Sequence, residues 1–534
     1  MSDAAAAPKR IECDFAIIGS SIASTMLGTI LASRGHKVVL IEKGHHPKFA
    51  IGESTIPQTS LMLLSLGLRY GIPEFENLSC FEQASRKISA NCGKKSNFGF
   101  IFQRPGQAHD RAECHQLGVA RKNFSETHFY RQDIDSYLLF TAIRYGCQVL
   151  QQTDIADIDM VGDAVTIRTD RDVRIRARCL VDGSGYDSFL ARKLALRETP
   201  TRVRARSRTL FVHMVDVHPF DGCVAESEAG LGKLATWHEG TLHHIFRDGW
   251  MWVIPFGNHP DAMNPVCSVG LQLDPERRPK PAGVEPFDEF RAIIEDYPEI
   301  RAQFRDAKPV RNWVSSGRLQ YSAAQNAGDR WCLLSHSGGF VDPLFSRGLS
   351  NTSEVLNIAA STLLDAARDD DFSAARLAPI DTVNKGAIAG NDTLVHGAYI
   401  SFRDFRLWNA WFRIWGLTQA YGISRFLKSL VEFENTGQPS AFERLDRPQR
   451  PGGLTPDHPE IADLIDGAYA SMRAYDEGRL SAEAAERDIF DRFAAAENLP
   501  PNFPFADRTV HFGRNTLATQ IAVDSWLHGQ LRAA

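Results

Sequence analysis

The segment from Asp14 to Glu42 constrains the fold more than any other part of the chain. It reads as an apolar run, DFAIIG, a small-residue stretch, SSIASTMLGTILASRG, and a second apolar run, KVVLIE. Short apolar runs punctuated by glycine are buried strands, and the stretch between them is long enough for a helix, so the segment predicts strand, helix, strand. In such a unit the first turn exposes the N–H groups of a helix N-terminus, which is where dinucleotide folds hold a pyrophosphate. The turn here is Gly19-Ser20-Ser21-Ile22-Ala23-Ser24, a G-x-G-x-x-G pattern with serine at its second and third glycine positions. Ser21 and Ser24 each add a Cβ where the pattern asks for close approach, so the fragment alone also fits a plain βαβ core unit. Glu42 closes the second strand at the offset of a ribose-binding carboxylate, with Lys43 beside it.

Later segments favour the nucleotide reading. Gly52-Glu53-Ser54-Thr55-Ile56-Pro57 is a polar loop between apolar stretches. YRQDIDSYLL brings Arg131 and Asp135 into a helix, and LVDGSG ends a strand at Asp182 and Gly183. NAGDRWCLLSHSGGFVDPLFSRG then supplies Asp329, Asp342 and Gly348 before another helix. Separated Gly/Asp turns at strand ends are the layout of a large FAD-binding fold, in which distant segments return to one cofactor. A second phosphate-binding βαβ unit is not visible, so a built-in NAD(P)H domain is not expected.

The expected fold is therefore α/β with α+β insertions. Residues 10–365 form a Rossmann-like FAD module of the glutathione-reductase and hydroxylase type. Insertions at about 90–125 and 200–325 carry strand-like runs such as NFGFIF, TLFVHMV and CSVGLQL, which predict a β-sheet substrate layer. Residues 366–534 read as a mostly helical region covering the substrate pocket.

Composition removes several classes of function. With 60 Lys and Arg against 65 Asp and Glu, the net charge of -5 gives no attraction to nucleic acid. The aromatic run LWNAWFRIWGL is interrupted by Arg413, and no stretch reaches the length of a membrane span. Nine cysteines without a C-x-x-C pair, and a start without a signal-like apolar stretch, predict reduced thiols in a cytoplasmic protein. In WHEGTLHH, His238 and His243 stand five apart and miss the H-E-x-x-H spacing, so no metal site is expected.

Trp250 to Pro255 spells W-x-W-x-I-P, and Phe340 to Gly348 spells F-x-x-P-x-x-S-x-G. With GESTIP, these motifs resemble the flavin-dependent halogenases in the order in which that family carries them. The longer strings WHEGTLHH, WVIPFGNHP, AQFRDAKPVRNWV and DPLFSRGLSNT are similar to the branch, found in antibiotic biosynthesis, that chlorinates the pyrrole ring of a phenylpyrrole. The likeness runs from about residue 14 to about 420.

The resemblance implies FAD used as FADH2, dioxygen, chloride or bromide, a separate NAD(P)H-dependent flavin reductase, and a free small-molecule substrate. In the family a flavin C4a-hydroperoxide is attacked by halide, and the hypohalous acid travels down a tunnel to the substrate. Carried over by position, the flavin contacts are Gly19, Ser21, Ile22, Ala23, Ser24, Glu42, Lys43, Glu53, Ser54, Arg131, Asp182, Gly183, Asp329 and Asp342. Trp250, Trp252 and Pro255 form the tunnel wall. Ser346, Arg347 and Gly348 offer halide-binding N–H groups before a helix expected to begin near Asn351, with Glu354 as its capping partner. The guiding lysine precedes an aromatic strand. Its spacing to Phe100 selects Lys95 over Lys94, and alternation along a strand turns only one of the two inward.

Phe345 stands where the tryptophan-specific branch carries a glutamate, which implies an electron-rich ring such as a pyrrole or phenol, with His238 and Glu239 of WHEGTLHH as candidates for a substitute base. The alternatives are a single-component aromatic hydroxylase, a halogenase of a phenolic or carrier-tethered substrate, and a flavin-binding relative without chemistry.

Overall fold

The computed structural model describes residues 9–118, 125–160, 162–224, 235–513 and 517–532. Its first sheet is built on parallel strands. Trp331–Leu333, Val173–Asp182, Lys9–Ile18, Val38–Ile41 and Gln148–Leu150 lie side by side in that order. Phe15 to Ile18 and Val38 to Ile41 are buried without alternation, as strands covered on both faces must be. The helix Ile22–Ser33 connects the first two strands and packs with the helices Arg131–Arg144 and Arg347–Asp369 on one face. The antiparallel pair Ile155–Asp159 and Val165–Thr169 extends this sheet from Val173–Asp182.

The strand-like runs of the two insertions meet in a second sheet. Asn97–Phe102 pairs in parallel with Gly240–Phe246, which continues antiparallel to Gly249–Pro255, Cys267–Leu273 and Arg208–Val215. Its two faces meet different partners. Met251 and Val253 join the cluster formed with Phe290 and Ile300 of two short helices, whereas Trp250, Trp252 and Ile254 point to the opposite side. That side is roofed by the helix Phe405–Thr436, which brings Leu407, Trp408, Trp411, Phe412 and Trp415.

This helix is buried around its whole circumference from Leu407 to Gly422, so it is a core element rather than a surface one. Arg413, read in the sequence as a break in an apolar run, is itself fully buried. Its guanidinium donates to the carbonyls of Asn409, Phe505, Asp507 and Val510, pinning the segment 503–510 over the helix. Among the described residues no helix is long and apolar enough to cross a membrane.

Candidate active site

The first turn is shaped to receive a phosphate. Gly19 adopts φ +88°, and a Cβ there would collide with the carbonyl of Gly183. The helix that follows has Ser21 at its N-cap, and the Ser21 hydroxyl bonds none of its first N–H groups, which stay open to a ligand oxygen. Ser24 does not loosen the packing. Its Oγ occupies the space that Gly183, at the end of the neighbouring strand, leaves by lacking a side chain. Glu42 is buried and accepts from Ser20 N at 3.1 Å, Ser20 Oγ at 2.6 Å and Gly44 N at 2.8 Å, with Lys48 alongside. Burial pushes this carboxyl up, but Lys48 and the hydrogen bonds outweigh it and hold it below the usual range. The backbone cradle, the free helix N-terminus and the buried carboxylate together fit an adenine dinucleotide.

Two expected members do not join this group. Lys43 turns outward, 80% exposed, and pairs with Asp154 at 2.9 Å. Asp329 lies at the exposed tip of the Ala327–Gly328 hairpin and accepts from Ala374 N at 2.6 Å. It precedes the strand Trp331–Leu333, whereas cofactors sit at the carboxyl ends of parallel strands. Asp182 does end its strand on the correct side. It accepts from Ser184, Ser188 and Leu190, so it organises the turn after Gly183.

The loop after Ile51 joins every part of the site. Arg131 donates to the carbonyls of Ile51 and Gly52 and forms a bidentate pair with Asp135. Glu53 accepts from Ser268 Oγ at 3.1 Å and bonds His213 Nε2 at 2.8 Å. Ser268 in turn accepts from the Trp252 indole N–H at 3.2 Å, which links the loop to the tryptophan strand. Ser54 Oγ and the Thr55 carbonyl each accept from Lys95 Nζ at 2.6 Å.

Lys95 is wholly enclosed, and Lys94 only partly. The ammonium of Lys95 lies 3.3 Å from the centre of the Phe98 ring. Burial drives its pKa well down while the charge of Glu126 pulls it back up. Beyond Phe98 the rings continue without interruption. His243 stacks on Phe100 at 4.3 Å, Trp415 meets Phe98 edge-on at 4.9 Å, and Phe345 stacks on Trp415 at 5.1 Å. Trp250 and Trp252 share the face of this cluster, their rings 5.7 Å apart. Trp252 fits because it faces Gly270, where any Cβ would overlap the indole.

In the second motif the helix begins at Arg347, four residues before the expected start at Asn351. The chain reaches it through Phe345 at φ +69° and Ser346 at φ +54°, left-handed conformations that carry local strain in residues other than glycine. Ser346 offers no side-chain cap, and Glu354 caps nothing, being bonded to Arg425 at 3.1 Å. The Arg347 side chain is buried, and its backbone N–H and that of Gly348 stand among the uncapped N–H groups at the helix start. Gly348 lies beside His336, which burial and the Arg131 charge keep neutral with a pKa of about 4. Asp342 is buried, accepts from Ser207 Oγ at 2.7 Å and Tyr399 at 3.2 Å, and burial pushes its pKa up to about 6. His238 is half-buried on a short turn, its N–H bonded to Asp221 at 3.0 Å.

No family model matches the chain. Tetracycline 7-halogenase of Kitasatospora aureofaciens is 41% identical over 523 residues, 97% of this chain and 93% of that protein. The chain belongs to the flavin-dependent halogenases. The monodechloroaminopyrrolnitrin halogenase PrnC of Pseudomonas fluorescens is 42% identical over 92% of this halogenase and 86% of its own length. Among solved structures, halogenase PltM in complex with phloroglucinol and FAD superposes with a TM-score of 0.89 at 31% identity, covering 94% and 99% of the two chains. The likeness therefore does not fade near residue 420, as the strings alone implied. FAD, halide and dioxygen are the cofactors of this family. The halogenase fold also brings Glu126, His128 and Thr241 beside Lys95, which the sequence reading passed over because nothing local marks them.

Proposed function

We propose that this halogenase modifies a free, electron-rich aromatic or heteroaromatic molecule, with Lys95 guiding the halogen oxidant to it. The observation that carries this reading is the enclosed Lys95 amine at the rim of an otherwise apolar, ring-lined cluster. Bound FADH2, supplied by a separate NAD(P)H-dependent reductase, provides with dioxygen and halide the oxidising equivalent. Gly19, Ser21, Ile22, Ala23 and Ser24 would hold its pyrophosphate, and Glu42 its ribose. The N–H groups of Arg347 and Gly348 would bind the halide. Trp250 and Trp252 would keep substrate off the cofactor by bulk. As an ammonium, Lys95 would hydrogen-bond hypohalous acid and polarise its halogen; as an amine, it would carry the halogen itself.

Relatives named for a phenylpyrrole and for a tetracycline, and a neighbour crystallised with phloroglucinol, share an activated ring and little else. Phe345 supplies no carboxylate to assist attack, which favours a ring that needs none. The buried indole N–H groups of Trp408 and Trp415 have no acceptor among the described residues, so oxygen substituents on the ring would be matched. The test is mass spectrometry of phenylpyrroles, tetracyclic phenols and simple phenols incubated with a generic flavin reductase, FAD, NADH and chloride. A product with the chlorine isotope pattern is expected from at least one class. Consumption of FADH2 with no chlorinated product from any class would defeat the reading.

A further inference from the structure

Lys95 stands at the end of a chain of side chains whose donors and acceptors can all be assigned. His128 Nδ1 lies 2.9 Å from the Pro255 carbonyl, which only accepts, so Nδ1 carries the ring proton. The ring is enclosed and neutral, burial and the Lys95 charge holding its pKa at about 3, which leaves Nε2 an acceptor. Thr241 Oγ1 is 2.9 Å from Nε2 and must donate to it. With its proton spent there, Thr241 accepts from Ser54 Oγ at 2.9 Å, and Ser54 accepts from Lys95 Nζ at 2.6 Å. The second Nζ donor goes to the Thr55 carbonyl at 2.6 Å.

We propose that His128 is a positioning residue which, through Thr241, makes Ser54 an obligate acceptor, so that Lys95 donates to the loop and keeps its remaining nitrogen valence for the oxidant. This rests on the reading of Lys95 given above. Were the chain broken, the Ser54 hydroxyl would be free to turn its proton onto Nζ and occupy the lone pair of the neutral amine.

The surroundings are built around this chain. Lys95 and Gly93 face Glu126 and His128 across one antiparallel strand pair, and Ser54 bridges His128 from the other side. Gly93 has no side chain where a Cβ would strike the Pro255 carbonyl and crowd His128. The other titratable groups near Lys95 are Glu126, which accepts from Thr55 Oγ1 and Ser60 Oγ at 2.6 Å each, and His243 on the adjoining strand, with His238 beyond His128. Glu126 favours the ammonium. The chain decides where the nitrogen points.

Replacing His128 would also remove the bond to Pro255, so the decisive variants are Thr241→Val, nearly isosteric but unable to donate, and Thr241→Ser, which restores the hydroxyl. The full-length protein is labelled with [ε-13C]lysine, and the Lys95 resonance is assigned by its loss in Lys95→Ala. In Thr241→Val that resonance is expected to titrate at lower pH than in the parent, since the neutral amine gains a donor. The halogenation kcat should fall about tenfold with KM unchanged, and Thr241→Ser should recover both. Parent-like titration and kcat in Thr241→Val overturn the inference while leaving the role of Lys95 intact. Normal halogenation by Lys95→Ala overturns the role of the lysine itself.

Discussion

Lys94 and Lys95 are the same residue one peptide apart, and strand alternation gives them opposite surroundings. Lys95→Ala is expected to abolish product while FADH2 is still oxidised, whereas Lys94→Ala should retain both; chromatography of product against flavin absorbance separates the two outcomes. Trp252→Ala should keep part of the product formation measured by chromatography, because the indole contributes bulk and a bond to Ser268 rather than a proton for the reaction. The inward lysine was legible because spacing and alternation are local properties. His128 and Thr241 were not, since their value comes from contacts between segments distant in the chain, the two being 113 residues apart. Asp329 misled for a related reason: a Gly-Asp turn reads alike at either end of a strand, and only the direction of the parallel sheet tells which end faces the cofactor. Asp342 makes a prediction of its own. Its pKa rises from the ordinary 3.8 to about 6, so the folded state holds that proton more tightly than the unfolded chain does. Its burial therefore weakens the fold as pH climbs from about 4 to about 6, fully so above that. Asp342→Asn is expected to raise Tm relative to the parent at about pH 8 and not at about pH 4, by calorimetry.

At the level of elements, the serine-substituted first turn keeps its close packing because the missing side chain has moved to the partner strand, at Gly183. Gly183→Ala is expected to cost about 1–3 kcal/mol of stability and to weaken FAD binding, with Ser24→Ala relieving part of both, read by denaturant melts and flavin titration. The sequence showed the serines and not their compensation, which lies on another strand. The helix Phe405–Thr436 holds a second test. Arg413→Met leaves several carbonyls without their donor and should destabilise the chain by about 3 kcal/mol, visible as early proteolysis near residues 503–510.

For the molecule as a whole, the opening strand–helix–strand unit and the presence of strands in both insertions could be anticipated from apolar runs and turns, whereas the order of strands within either sheet could not. How the two insertions would meet could not, because Asn97–Phe102 and Gly240–Phe246 pair in parallel across a long intervening stretch. The tightly bonded loop from Gly52 to Thr55 has a mechanical consequence. Four consecutive residues are each fastened to a different neighbour, by Arg131, by His213 and Ser268, by Thr241 and by Glu126. Such a rivet leaves the sheets little freedom to hinge apart, so breathing that admits a bulky guest should be concentrated on the helical side, where hydrogen exchange would find the earliest opening.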